Sequence, residues 1–392
     1  MTEKMRDGII RRGAGYSYVI RELDPATGKR KPRWVSGFPT RKAAVAARDA
    51  ARNAVHQGTY VAPQDLTVAA WLQQWLEAHR VELKPSTAKT YADKIDLYLV
   101  PAIGHERLQA LSPSRLSVVW REMRERGGKN GKPLSPRTVE FARAVLRKAM
   151  EDAVIERLVQ VNPVVGSKMP KRDGKPQHTT WTGVQIKRFL EHVAEDRWAP
   201  MWELFAATGM RRGEVAGLRW ADVDLEAGTL AVERSTTQLG KERVTTTPKN
   251  HERRTIGLDP HTVATLKAWR KTQAAERLQM GAAYAGNEDL VFTWQDGRPI
   301  LPDFITKTFA KVQADLNRRL VEAEETPLPV LVVHELRHSH ATILLRLGRP
   351  VHIVAKRLGH KDPSVTLNVY ADVIPDDDVS TVDVYSGAVW GA

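Results

Sequence analysis

The sequence predicts a multidomain, mainly α-helical protein: a small α+β domain in front, a helical domain in the middle, and a mixed α/β, mostly helical domain behind. Three observations predict it. At 392 residues the chain exceeds what one hydrophobic core spans. From Thr67 onward, helix start signals recur, each a Ser, Thr or Asp placed before Pro or before apolar residues at helical spacing. Strand-like runs are confined to the first forty residues and to one short stretch near residues 229–258.

Residues 1–64 form the first predicted domain. Ile9–Arg12, Tyr16–Glu22 and Arg33–Gly37 read as strands, with a turn at Pro25–Gly28, and Thr40 caps an Ala-rich helix running to about His56. This segment holds 13 Lys or Arg against five acids, more than half of the chain's net charge of +14. Arg11, Arg12 and Lys31 are its candidate contacts to a polyanion.

Residues 66–165 read as about four helices. Thr67 opens VAAWLQQWLEAHR with Val68, Leu72, Trp75 and Leu76 on one face, while Ser112-Pro113 and Ser135-Pro136 mark two further starts. The stretch LKPSTAKTYADKI offers Lys84, Ser86, Thr87 and Lys89 as a phosphate-facing edge. Residues 166–178 are rich in Gly, Pro and Lys without apolar periodicity and read as a linker.

Residues 179–375 return to helices around one small sheet. Gln185–Glu195 and Pro200–Thr208 read as helices, the second stopped by Gly209, which leaves Arg211 in the turn behind it. Glu214 begins a short helix as the expected partner of a nearby arginine. Thr229–Ser235 and Arg253–Leu258 read as strands with Lys249 on the flexible hairpin between them. A helix from about His334 to Leu347 follows, and then VHIVAKRLGH, with His360 behind a glycine stop and Tyr370 ten residues later on a helix started by Asp362-Pro363. The tail, 376–392, carries acids and apolar residues but no Lys or Arg.

Two arginines, a lysine, two histidines and a tyrosine suit one reaction. Planar guanidinium forks match the non-bridging oxygens of a phosphorus under attack. An imidazole and an ammonium can manage protons at neutral pH, and a tyrosyl ester conserves the energy of the broken phosphodiester. No metal or other cofactor is called for.

The motifs TGMRRGE, TTTPKNHERRTI, HELRHSHAT, LGH and VTLNVYADV, in this order, resemble those of the tyrosine recombinases, the phage-integrase family. The resemblance implies a catalytic set of Arg211, Lys249, His334, Arg337, His360 and Tyr370. It also implies a basic arm-binding domain in front, a helical core-binding domain, and a tail that docks on a neighbouring protomer. The expected partner is double-stranded DNA carrying attachment sites, bound by a homotetramer with DNA-bending and directionality factors. Zero cysteine and the lack of any long apolar run predict a cytoplasmic chain without a membrane partner. The alternatives are a type IB topoisomerase and, through His334-Glu335-Leu336-Arg337-His338, an HExxH zinc peptidase. Against the peptidase, Arg337 would set a fixed cation beside the metal.

Overall fold

A computed structural model describes residues 2–4, 8–12, 14–23, 30–57, 60–171, 179–240, 242–246, 253–286 and 288–360, with single residues at 362, 364, 367 and 386. The chain divides into two compact units, 1–174 and 175–392.

The first unit opens with an antiparallel sheet in the order β1 (Thr2–Lys4), β2 (Ile9–Arg12), β3 (Gly15–Leu23), β4 (Arg30–Phe38). The sequence predicts three of these strands; β1 adds a fourth by pairing Thr2 with Arg12. The predicted turn at Pro25–Gly28 lies outside the described residues. Helix α1 (Arg41–His56) is capped by Thr40 and covers the sheet, burying Ala44 and Ala51 against Ile9, Tyr18 and Ile20. Residues 60–66 lead into the helical part, where Gln109 pins them: its amide donates to Ala62 O and Leu158 O, and its oxygen accepts from Gln64 N.

That helical part comprises α2 (Val68–His79), α3 (Pro85–Lys94), α4 (Val100–Ile103), α5 (Pro113–Arg126) and α6 (Pro136–Ile155). Thr67, Ser112 and Ser135 cap α2, α5 and α6 through their side-chain oxygens. The apolar faces meet in a core built on Trp71, Leu72, Trp75, Trp120 and Leu146, and the indole nitrogens of Trp71 and Trp120 are satisfied by Ala149 O and Ser167 Oγ. A π-helical turn, Ile95–Leu99, joins α3 to α4. Pro101 explains it, because a proline ring collides with the carbonyl four residues back, and the wider turn makes room.

The second unit begins with α7 (Gly183–His192), closed by a Thr182–Gln185 capping box, followed by α8 (Ala199–Thr208) and α9 (Arg212–Ala216). A three-stranded antiparallel sheet follows in the order β5 (Val223–Asp224), β6 (Thr229–Val232), β9 (Arg254–Gly257). Between β6 and β9, where the sequence predicts one flexible hairpin carrying Lys249, the chain makes a separate two-stranded hairpin, β7 (Ser235–Leu239) with β8 (Glu242–Thr246). Thr236 of β7 is buried against α9: a Cβ on Gly213 would lie 2.5 Å from its carbonyl oxygen. Helices α10 (Pro260–Met280), α11 (Pro302–Glu322), α12 (Val333–Arg346) and α13 (Val351–Leu358) follow among the described residues. Its core centres on Trp181, Phe189, Trp202, Phe205 and Phe309. Trp181 ties the start of the unit to α12, its backbone N–H donating to Ser339 Oγ at 2.9 Å.

Candidate active site

Helix α8 ends at Gly209, whose left-handed backbone (φ 62°) turns the chain out toward Arg211. Any side chain there would collide: a Cβ would sit 2.9 Å from Leu358 Cδ2 and 3.0 Å from His340 Cδ2. The turn therefore lies tight against both α12 and α13. Behind it, Glu214 of α9 accepts from the Arg211 backbone N–H at 2.9 Å and from Arg211 Nη1 at 2.8 Å. Arg211 Nη2 donates to Gly359 O at 3.3 Å. The Arg211 side chain keeps 27% of its surface exposed, enough to meet a ligand.

Glu214 also faces a second arginine, Arg254 of β9, whose Nη1 and Nη2 lie 3.1 and 2.6 Å from its two oxygens. Burial alone would raise the Glu214 carboxyl, but the Arg254 hydrogen bond and charge, with Arg211 behind them, hold it at about 2. It is a fixed anion shared by two guanidinium groups.

His334 and Arg337 lie one turn apart on α12, so both reach one side of the unit. Arg337 is 2% exposed; Nη1 donates to Gly209 O at 2.8 Å and Nη2 to Leu358 O at 2.5 Å. His334 stands edge-on to His338, ring centres 5.2 Å apart. Burial and then the charges of Arg337, Arg211 and Arg212 depress it to about 4. His360 follows Gly359, another left-handed residue (φ 66°), and is likewise depressed to about 4 by burial, Arg337, Arg211 and Arg254. Both imidazoles are therefore neutral at neutral pH, within a field of positive charge. A cleft of about 620 Å³ adjoins His360, edged by Arg253, His352 and Lys356. Such a field favours a phosphate, and neutral imidazoles can take up a proton once the phosphate offsets the cations.

Of the six residues read from the sequence, Arg211, His334, Arg337 and His360 come together. Lys249 and Tyr370 lie outside the described residues. His340 is a packing residue: its Nδ1–H donates to Ala206 O, while Nε2 accepts from Arg357 Nε at 3.1 Å. Glu335, the base required by a zinc peptidase, instead caps its own helix by accepting from Val332 N at 2.7 Å. Arg254 escaped the sequence reading. Its signal is positional, since it shares a strand face with buried Ile256, an unusual place for a charge without a partner.

The proposed DNA contacts lie in the first unit. Lys84 is the exposed N-cap of α3, Ser86 and Thr87 are half-buried in its first turn, and exposed Lys89 pairs with Asp93 at 2.7 Å. Arg11 and Arg12 lie on β2 and Lys31 on β4; Arg11 and Lys31 are exposed, and the Arg12 side chain lies outside the described set.

Residues 67–118 match the N-terminal SAM-like domain of phage integrases. The tyrosine recombinase XerC-like protein of Caldanaerobacter subterraneus subsp. tengcongensis is 27% identical over 88% of this chain and 89% of its own. The ICEBs1 integrase of Bacillus subtilis is 22% identical over 92% and 94%. The fold is shared with the Tn1549 transposon integrase in complex with transposon right end DNA (TM-score 0.69, 20% identity, 83% of this chain and 100% of that one). It is also shared with a lambda integrase tetramer bound to a Holliday junction (TM-score 0.54, 15% identity, 92% and 98%). Residues 181–376, the half of the sequence that carries the arginine and histidine cluster, match the phage integrase family itself, and the chain belongs to that family.

Proposed function

We propose that this enzyme is a site-specific DNA recombinase in which Tyr370 is the nucleophile. The observation that carries the reading is the convergence of Arg211, Arg337, His334 and His360 from three separate segments. The phenolic oxygen attacks the scissile phosphorus, the bond to the 5′ oxygen breaks, and a 3′-phosphotyrosine and a free 5′-hydroxyl result. The phenol proton passes to a neutral imidazole, His334 or His360, and Lys249 gives a proton to the leaving oxygen. Arg211 and Arg337 stabilise the charge on the five-coordinate phosphorus, each contributing about 3 kcal/mol. The reverse attack by a 5′-hydroxyl from the second DNA site seals the exchanged strand without ATP.

Double-stranded DNA bearing the attachment sites is the substrate, and on this reading the enzyme works in the cytoplasm. The active assembly is a homotetramer passing through a four-way junction, a reading supported by the lambda integrase tetramer on such a junction. Incubating the protein, free of divalent metal, with nicked suicide DNA containing its attachment site should trap a covalent adduct. Tyr370→Phe should abolish it; an adduct that persists in this variant assigns the nucleophile elsewhere.

A further inference from the structure

The last turn of α13 presents three successive main-chain oxygens to three guanidinium groups. The carbonyl of Arg357 accepts from Arg254 Nε at 2.9 Å, that of Leu358 from Arg337 Nη2 at 2.5 Å, and that of Gly359 from Arg211 Nη2 at 3.3 Å. A helix leaves these carbonyls without internal partners at the negative end of its dipole, so cations are favoured there.

Arg254 is nearly as enclosed as Arg337 but shares a carboxylate with Arg211: its side chain is 7% exposed, and each of its three nitrogens is engaged by the protein, Nε by α13, Nη1 and Nη2 by Glu214. The same carboxylate holds both the backbone and the guanidinium of Arg211. Gly359 lies flush on Arg254, since a Cβ there would stand 3.0 Å from Nη1 and 3.3 Å from Cζ. One planar fork thus joins β9, the turn that carries Arg211, and the turn that carries His360. Arg357 braces the same junction from behind, donating to Ala207 O at 2.9 Å and Gly257 O at 3.1 Å.

We propose that Arg254 is a positioning residue for strand cleavage, which sets Arg211 and His360 through Glu214 and the end of α13 without itself contacting DNA. A lysine could supply the charge but not the fork that spans two carboxylate oxygens and a carbonyl. The inference rests on the reading of Arg211 and His360 as members of the active site.

Arg254→Met and Arg254→Lys in the full chain test it, with wild type and Tyr370→Phe alongside. DNA affinity and the single-turnover rate of adduct formation on nicked suicide DNA are measured from about pH 5 to 8. Arg254→Met should cleave about 100-fold more slowly, with affinity within about threefold of wild type. The groups facing Glu214 are Arg211 on its own turn, Arg254 on β9 and His334 on α12. With Arg254 gone, burial raises the carboxyl, so the Arg254→Met rate should fall more steeply toward acid pH than the rates of wild type and Arg254→Lys. Arg254→Lys, which keeps the charge, should fold with a melting temperature near wild type yet remain slow. A wild-type rate in Arg254→Met overturns the proposal, as does a loss that is uniform with pH and matched by lost affinity. An adduct in Tyr370→Phe overturns the reading of the site instead.

Discussion

Replacing Glu214 with glutamine asks whether the two arginines beside it are held by charge or by shape. The carboxylate is 1% exposed. Burial works against its ionisation, yet the Arg254 hydrogen bond and the charges of Arg254 and Arg211 bring it from 4.5 to about 2. At about 1.4 kcal/mol for each tenfold change, a displacement of that size represents about 3 kcal/mol of folding free energy at neutral pH. Glutamine keeps the volume but turns two N–H donors toward guanidinium groups that are donors themselves, leaving Arg254 buried without a counter-charge. Breaking a buried pair in this way costs about 3–5 kcal/mol. Glu214→Gln should therefore lower the stability of the second unit by about 3 kcal/mol at pH 7. Because the folded carboxyl lies below its unfolded value, the carboxylate's contribution is complete above about pH 4.5 and declines as pH falls toward 2, so the gap between variant and wild type should close across that window. Urea denaturation at a series of pH values measures the gap, and hydrogen exchange in peptides from residues 199–217 assigns it to this unit. A loss under about 1 kcal/mol at pH 7, or a gap that stays constant down to about pH 3, would refute the reasoning.

Gly209→Ala should destabilise the second unit by about 1–3 kcal/mol, because the left-handed backbone and the contacts with Leu358 and His340 both reject a Cβ; a melting temperature equal to wild type would contradict the tight turn. Binding of attachment-site DNA should raise His334 and His360 from about 4 by about one unit or more, as a phosphodiester offsets the surrounding cations. Histidine-selective NMR titration of free and bound protein reads this directly, and unchanged values would remove the phosphate from the cluster. Lys84→Ala should weaken binding to all DNA sequences alike and make the log-log salt dependence shallower by about 0.9, with a smaller effect for Lys89→Ala, whose ammonium already faces Asp93. Deleting residues 376–392 should impair assembly on DNA, measured by gel shift of the synaptic complex; assembly and recombination equal to the full chain would exclude a docking role for the tail.

Much of the helical architecture was legible because a cap is a local device. The Thr67, Ser112, Ser135 and Thr40 side chains each accept from the backbone N–H three residues on, a bond decided within one turn of sequence. The β7–β8 hairpin was not legible: its Thr-rich strands carry no apolar alternation, and the pairing is with itself. The π turn at Ile95–Leu99 was not legible either, because Pro101 in a helical stretch signals a break or kink without saying that a widened turn will absorb it. Within the site, the motifs announce Arg211, His334, Arg337 and His360 one by one. What brings three arginines into register is a row of carbonyl oxygens, which have no signature in a list of side chains. Arg254 was missed for a related reason, as its carboxylate partner lies forty residues earlier.

Fastening guanidinium groups to the peptide backbone of α13 carries a consequence for variation. The oxygens that grip the arginines belong to the main chain at 357–359 and persist whatever residue stands there, since every residue type supplies a carbonyl, although the Arg357 side chain and buried Leu358 carry contacts of their own. Inserting or deleting a single residue between Val351 and Gly359 is another matter. It would rotate that row about 100° around the helix axis and release all three grips together. Length, more than composition, should be what this stretch cannot change.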